Sequence, residues 1–388
     1  MFDRRRFLAA GGALAATCTL PSATAAGSAD EAPRWLGARA DRDGRFHATC
    51  FDNAGRLRFD HALPTRGHGM AVNAARGEVV MCARRPGDWL VVLDFSDGTL
   101  LHPVTAAPGR FFNGHAAFIG DLLYASETAT AAGPASAATF PATTSSPPTP
   151  GDGVIGVYDA RAAYRRLGEF PSHGLDPHDL RAIDANTLVV ANGGLLTHPD
   201  APRVKLNVDT MTPSLAYFDA RDGRLTSLHA LAPELHQLSI RHLAVAADRT
   251  LVVAMQYEGP ATDRPPLIAL HPPGATELEL LALPEPALAS LRNYCGSAAV
   301  DATGHIAGIS SPRGGQTLLY DIPARRLIAS LPLADGCGIA ADGHAGGFVL
   351  TSGLGSILRA QAGGDAAPIN SAALGASQWD NHLALLTR

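Results

Sequence analysis

A polar residue that opens a short apolar strand and is followed by an Asp or Asn turn recurs seven times in this chain. The segments open at His68 (HGMAVN), His115 (HAAFIGD), His178 (HDLRAID), His242 (HLAVAAD), Cys295 (CGSAAVD) and Cys337 (CGIAAD). The seventh, Trp379–Leu386 (WDNHLALL), sets His382 in the opening place. Successive openings lie 42 to 64 residues apart. Units of about 40–50 residues with four strands each are the mark of a β-propeller blade. Aromatics at 6% and the 40 Gly and 28 Pro favour many short strands over long helices. With 46% hydrophobic and 17% charged residues the chain can bury a large core, which excludes wholesale disorder.

The first repeat spells out a blade, with strands expected at His68–Val72, Glu78–Ala83, Trp89–Phe95 and Thr99–Thr105. The last repeat supplies only a first strand. Three N-terminal segments, Trp35–Ala40, Phe46–Phe51 and Arg56–His61, have no blade of their own. Joined, they make a seventh. The expected fold is therefore all-β: a seven-bladed β-propeller over residues 35–388, closed by pairing the C-terminal strand with the N-terminal strands. Closure of this kind removes exposed sheet edges, and a monomer is expected. Two intervals are long because of insertions between second and third strands. Residues 128–153 form an Ala/Thr/Ser/Pro tract of loop composition. Residues 197–214 (THPDAPRVKLNVDTMTPS) are more specific in sequence.

Ahead of the repeats, Asp3-Arg4-Arg5-Arg6-Phe7-Leu8 carries a twin-arginine signature, and a mild apolar run follows to Leu20. Ala23-Thr24-Ala25 is a small-x-small cleavage site. The run falls short of the ~20 apolar residues that span a membrane. Residues 1–25 thus read as a signal peptide and 26–34 as a linker, with the mature protein expected in the periplasm. The twin-arginine route carries folded proteins, which favours a bound cofactor. The 31 basic and 36 acidic residues give a net charge of −5, with no basic block past the leader, so nucleic acid is not an expected partner. Four scattered cysteines beyond the leader, Cys50, Cys82, Cys295 and Cys337, do not form a disulfide scaffold.

The first strand of a propeller blade lines the central channel, and its opening residue is expected at one mouth. Five of the seven openings are histidine: His68, His115, His178, His242 and His382. The other two are Cys295 and Cys337. Imidazole and thiolate are ligands for iron, copper or zinc. Polar channel residues also hold ordered water, and histidines also brace neighbouring blades. For the cysteines three roles stand side by side: metal ligands, a disulfide between adjacent blades, or small hub residues. The ends of the second strands and the second insertion bring further polar groups towards the same mouth. Arg84, Glu127, Asn192, His198, Lys205, Gln256 and Arg313 are the candidates for a pocket around the metal, with Arg84 and Arg313 as anion-binding charges. No nucleophile elbow, phosphate loop, HExxH or paired CxxC motif is present.

Several of these segments carry a resemblance: Arg66–Gly69 (RGHG), Ile155–Asp159 (IGVYD), Asp176–His178 (DPH), Val190–Gly194 (VANGG), Thr197–Pro199 (THP), Lys205–Asn207 (KLN), Leu238–Ala244 (LSIRHLA) and Ser311–Gly315 (SPRGG). Over residues 35–388 the chain resembles an uncharacterised family of twin-arginine-exported bacterial propellers, domain-of-unknown-function family 1513. The resemblance implies company with imelysin-like proteins in iron-regulated gene clusters, and so iron or other metal handling. Three functions fit: a periplasmic propeller binding iron or copper, an oxidoreductase of quinoprotein-like or copper-cluster type, and an interaction scaffold with a water-filled hub.

Overall fold

Short apolar strands punctuated by Asp turns fold into seven four-stranded antiparallel sheets. The structure is a computed structural model that describes residues 33–387 apart from 131–139, 141–147 and 199. The leader read at residues 1–25 lies outside the described residues. The first complete blade pairs Gly67–Asn73, Glu78–Ala83, Trp89–Asp94 and Leu100–Thr105 in chain order. The innermost strands of the next five are Arg110–Ile119, Pro177–Ala182, Leu238–Val245, Ser297–Val300 and Gly336–Ala341. Middle strands such as Glu78–Ala83 are buried throughout, because each blade is covered on both faces by its neighbours. Outer strands are half-exposed and alternate, as in Arg224–Ala230. The recurring Asp folds the hairpins: Asp94, Asp159, Asp184, Asp219, Asp248 and Asp342 each accept the backbone N–H two residues on, at 2.8–3.0 Å.

The seventh blade is the join. Gln378–Leu386 lies innermost and pairs antiparallel with Arg34–Ala40, which continues to Phe46–Asp52 and Leu57–Ala62. Phe51 packs between Trp35, at 5.9 Å between ring centres, and Trp379, at 5.4 Å. These rings and Leu383 share one core with Ala340, Val349, Ile357 and Leu374 of the blade before. Trp35 Nε1 also donates to the Ala341 carbonyl at 2.9 Å, tying the join across the blade boundary.

Where the inner strands meet the channel, six of them break register. Extra residues stand out of the ladder at His68–Gly69, 113–115, His178, Arg241, Cys337–Gly338 and 380–382. A bulge of this kind bends a strand and re-aims its side chain. The stretches 128–153 and 197–214 connect second to third strands of their blades. One face of the ring therefore carries the second of them beside the bulges.

Removing residues 379–388 strips Trp379, Leu383 and Leu386 from the core, each buried side chain contributing about 1.5–3 kcal/mol. It also exposes the edge of Arg34–Ala40. The truncated protein should melt well below the full chain and aggregate on heating. Unchanged melting with a monomeric light-scattering profile would show that the ring does not depend on this pairing.

Candidate metal centre

The five hub histidines meet. His68, His115, His178, His242 and His382 are all buried, with neighbouring ring centres 4.6–5.8 Å apart. His68 and His178 stand second in their inner strands, near the end where the repeat placed them, and line an open cavity. His115, His242 and His382 stand in mid-strand, and the bulges turn the rings inward across the channel. Two glycines make the approach possible. A Cβ on Gly69 would lie 2.5 Å from the Gly114 carbonyl oxygen, and one on Gly114, at φ +105°, would lie 2.7 Å from the His68 ring. Ring nitrogens of His68, His115 and His178 lie within 4.8 Å of one another, and so do those of His115, His242 and His382. His115 belongs to both groups.

The second nitrogen of each ring decides what the first can offer. His68 Nδ1 donates to Asp380 Oδ1 at 2.6 Å, and His115 Nδ1 lies 3.3 Å from Asp179 Oδ1. Both contacts favour a lone pair on Nε2, the carboxylate–histidine arrangement of metal sites. His382 Nδ1 meets the Ser297 hydroxyl at 3.1 Å. His178 differs. Its Nδ1 faces an Arg241 guanidinium N–H at 3.1 Å, which can only donate, so the neutral ring carries its proton on Nε2. The trio His115, His242 and His382 is therefore the better ligand set. Among the described residues, Nε2 of His115 and His382 and both nitrogens of His242 are buried without a hydrogen-bond partner, as is Nε2 of His178, which carries that ring's proton. Buried polar atoms left so are costly, and a bound cation would satisfy them.

Burial pushes the pKa of His115, His178, His242 and His382 well below 6.5, and neighbouring arginines and imidazoles push the same way. For His68 burial also lowers the value, opposed by Asp380. Burial would raise the Asp380 carboxyl, but His68, Arg66 and Arg84 outweigh it and hold it far below the usual carboxylate range. His115, His178, His242 and His382 are therefore neutral at pH 7, the form that binds metal.

Two cavities reach the rings from opposite ends of the inner strands. The larger, about 670 Å³, has His68, His178 and His242 on its floor and Arg84, Lys205, Gln256 and Arg313 around it. Arg66, Arg85, Arg203 and Arg241 also line it. The smaller, about 290 Å³, ends on His115 and His382 beside Arg181 and Ser297, between walls that include Met70, Val72 and Ile339.

The remaining candidates lie elsewhere. Cys295 Sγ points to the Leu267 carbonyl and Cys337 Sγ to that of Asp335, and neither joins a histidine group. Both are free thiols, which burial pushes up to about 12, and neither stands in a group that could share an ion with the histidines. Ser297 and Gly338 stand beside His382 in those two blades instead. Glu127 is buried inside its blade, accepting from Tyr158 at 2.6 Å and Arg166 at 2.8 Å. Asn192 is buried too, donating to the Ser172 carbonyl at 2.9 Å. His198 is exposed near Asp200. Sequence reasoning missed Asp380, Asp179 and Arg241, although each lies within two residues of a hub histidine.

A family model described as a protein of unknown function (DUF1513) matches residues 61–386. The chain belongs to this family. The match takes in all five histidines and every cation of the larger cavity, so the site falls within the DUF1513 region. A search of curated proteins returned no match.

In the unfolded chain the histidines titrate near 6.5, so acidification protonates that state before the buried rings. Stability of the metal-free protein should be full above about pH 6.5. It should fall as pH drops towards the lowered folded values, by up to about 1.4 kcal/mol per pH unit for each ring. Urea midpoints at pH 7.5 and 5.5 test this. Replacing His242→Gln and His382→Gln should narrow the gap, whereas equal midpoints in the wild type would mean the rings are not held neutral.

Proposed function

We propose that this propeller binds a transition metal in its hub, on His115, His242 and His382. The observation that carries the reading is a trio of buried, neutral imidazoles with unpartnered nitrogens within 4.8 Å of one another. Nitrogen–metal bonds of about 2.0–2.1 Å require small ring rotations from this geometry. An all-imidazole set with no thiolate suits iron, copper or zinc in the divalent state better than Cu(I). Three protein donors leave one position open for an exogenous ligand. His68, braced by Asp380, is the nearest further donor. On this reading the protein handles iron or copper in the periplasm beside imelysin-like proteins. The twin-arginine motif at Arg4–Leu8 and the family resemblance support that setting.

Untagged protein treated with chelator and reloaded with Fe(II), Cu(II) or Zn(II) should take up one ion. His115→Ala, which removes a member of both groups, should weaken binding at least about tenfold, some 1.4 kcal/mol. His178→Ala should weaken it less than about threefold, since that ring is committed to Arg241. Chelator competition reads both. A wild type that binds none of the three metals would overturn the assignment, and so would His178→Ala matching His115→Ala.

A further inference from the structure

The larger cavity is strongly cationic in a chain that is acidic overall. Seven cations line it: Arg66, Arg84, Arg85, Arg203, Lys205, Arg241 and Arg313. Three carboxylates answer five of them. Asp380 takes Arg66 and, at 3.9 Å, Arg84. Asp176 takes Arg85 and, at 2.6 Å, Arg241. Glu258 takes Lys205 and lies 4.0 Å from Arg241. Arg203 and Arg313 have no carboxylate partner among the described residues. The Arg313 guanidinium stacks 4.3 Å over Tyr294, which leaves its N–H edges free. Arg241, 3% exposed, has an unpartnered Nε. Arg203 and Arg313 are exposed at the opening, and a cleft lined by one sign of charge concentrates counter-ions.

The cavity's size is that of a small-molecule site. Its cations face into one concavity rather than along a stripe, which argues against a nucleic acid. They also come from separate walls: the first blade, the 197–214 insertion and the blades of Arg241 and Arg313. A single phosphate, with its oxygens converging on one atom, can reach only some of them. Several carboxylates spread along one molecule can reach most, each matched to a guanidinium fork.

We propose that this cavity binds a small polycarboxylate anion, with Arg203 and Arg313 as its outer anchors and Arg241 beneath it. The His68, His178 and His242 floor puts the inner end of such a ligand beside the hub. If the metal reading above holds, His242 is the one ring of that trio that such a ligand would meet from this side. The anion site itself does not depend on it.

Calorimetry on metal-free protein keeps the two apart. The probe is tricarballylate, which has three carboxylates and chelates metal poorly, with inorganic phosphate and acetate as comparisons. Tricarballylate should bind saturably and more tightly than either. Arg203→Ala with Arg313→Ala should weaken it at least about tenfold with melting unchanged. Arg249→Ala, an exposed arginine paired with Asp184 away from the cavity, should leave it intact. No binding, phosphate binding as tightly, or an unaffected double variant would overturn the proposal. Tricarboxylate binding by a protein that takes no metal would leave this site standing and remove the metal reading alone.

Discussion

The pairing of Gln378–Leu386 with Arg34–Ala40 is the interaction on which the rest depends. It turns six sheets and a remnant into a ring, and a ring is what gives seven inner strands a common axis. The same nine-residue strand carries Asp380, which orients His68, and His382, a member of the candidate ligand trio. Fold closure and site assembly are one event here. A propeller that failed to close would lose its sheet edges and its hub together.

The hub then sets a problem of polarity. Five imidazoles packed edge to face, with few hydrogen bonds among them, are a poor way to fill the middle of a protein. The bulges that aim them and the glycines at 69 and 114 that let His68 and His115 approach also weaken the inner strands locally. Around them, Asp179 and Asp380 are buried at the cost of desolvation and held by several donors each. Such an arrangement is expensive for a purely structural plug. It makes physical sense where an occupant repays it.

Much of this was legible in the sequence. The repeat fixed blade number and the join, because a β-blade writes its period directly as apolar strands and Asp turns. The histidines could be found for the same reason: they share a place in the repeat. Cys295 and Cys337 share that place too, yet their thiols turn to the Leu267 and Asp335 carbonyls rather than to the histidines. Register within an inner strand shifts by a residue or two at each bulge, and only one of those residues faces the axis. In the Cys337 strand Gly338 lies beside the His382 backbone, and in the Cys295 blade the residue two along, Ser297, reaches the His382 ring. Glu127 and Asn192 are drawn away from the cavity by other partners. Strand ends do run to the channel face, but Tyr158 and Arg166 hold Glu127 inside its own blade, and Asn192 bonds across to the Ser172 carbonyl of the neighbouring blade. The charge on the larger cavity was only half visible, since Arg66, Arg85, Arg203 and Arg241 converge from four stretches of chain with no shared spacing.

The closing strand also imposes an order in time. Its partner strand is more than 300 residues earlier, so during synthesis Arg34–Ala40 pairs with Phe46–Asp52 long before its inner edge can be covered. Pairings this distant in sequence are slow to form and leave an intermediate with open sheet edges. The two aromatic residues at the join, Trp35 and Phe51, spend that interval without Trp379. The inner edge of Arg34–Ala40 therefore stays open until Gln378–Leu386 is made, a window in which self-association competes with closure.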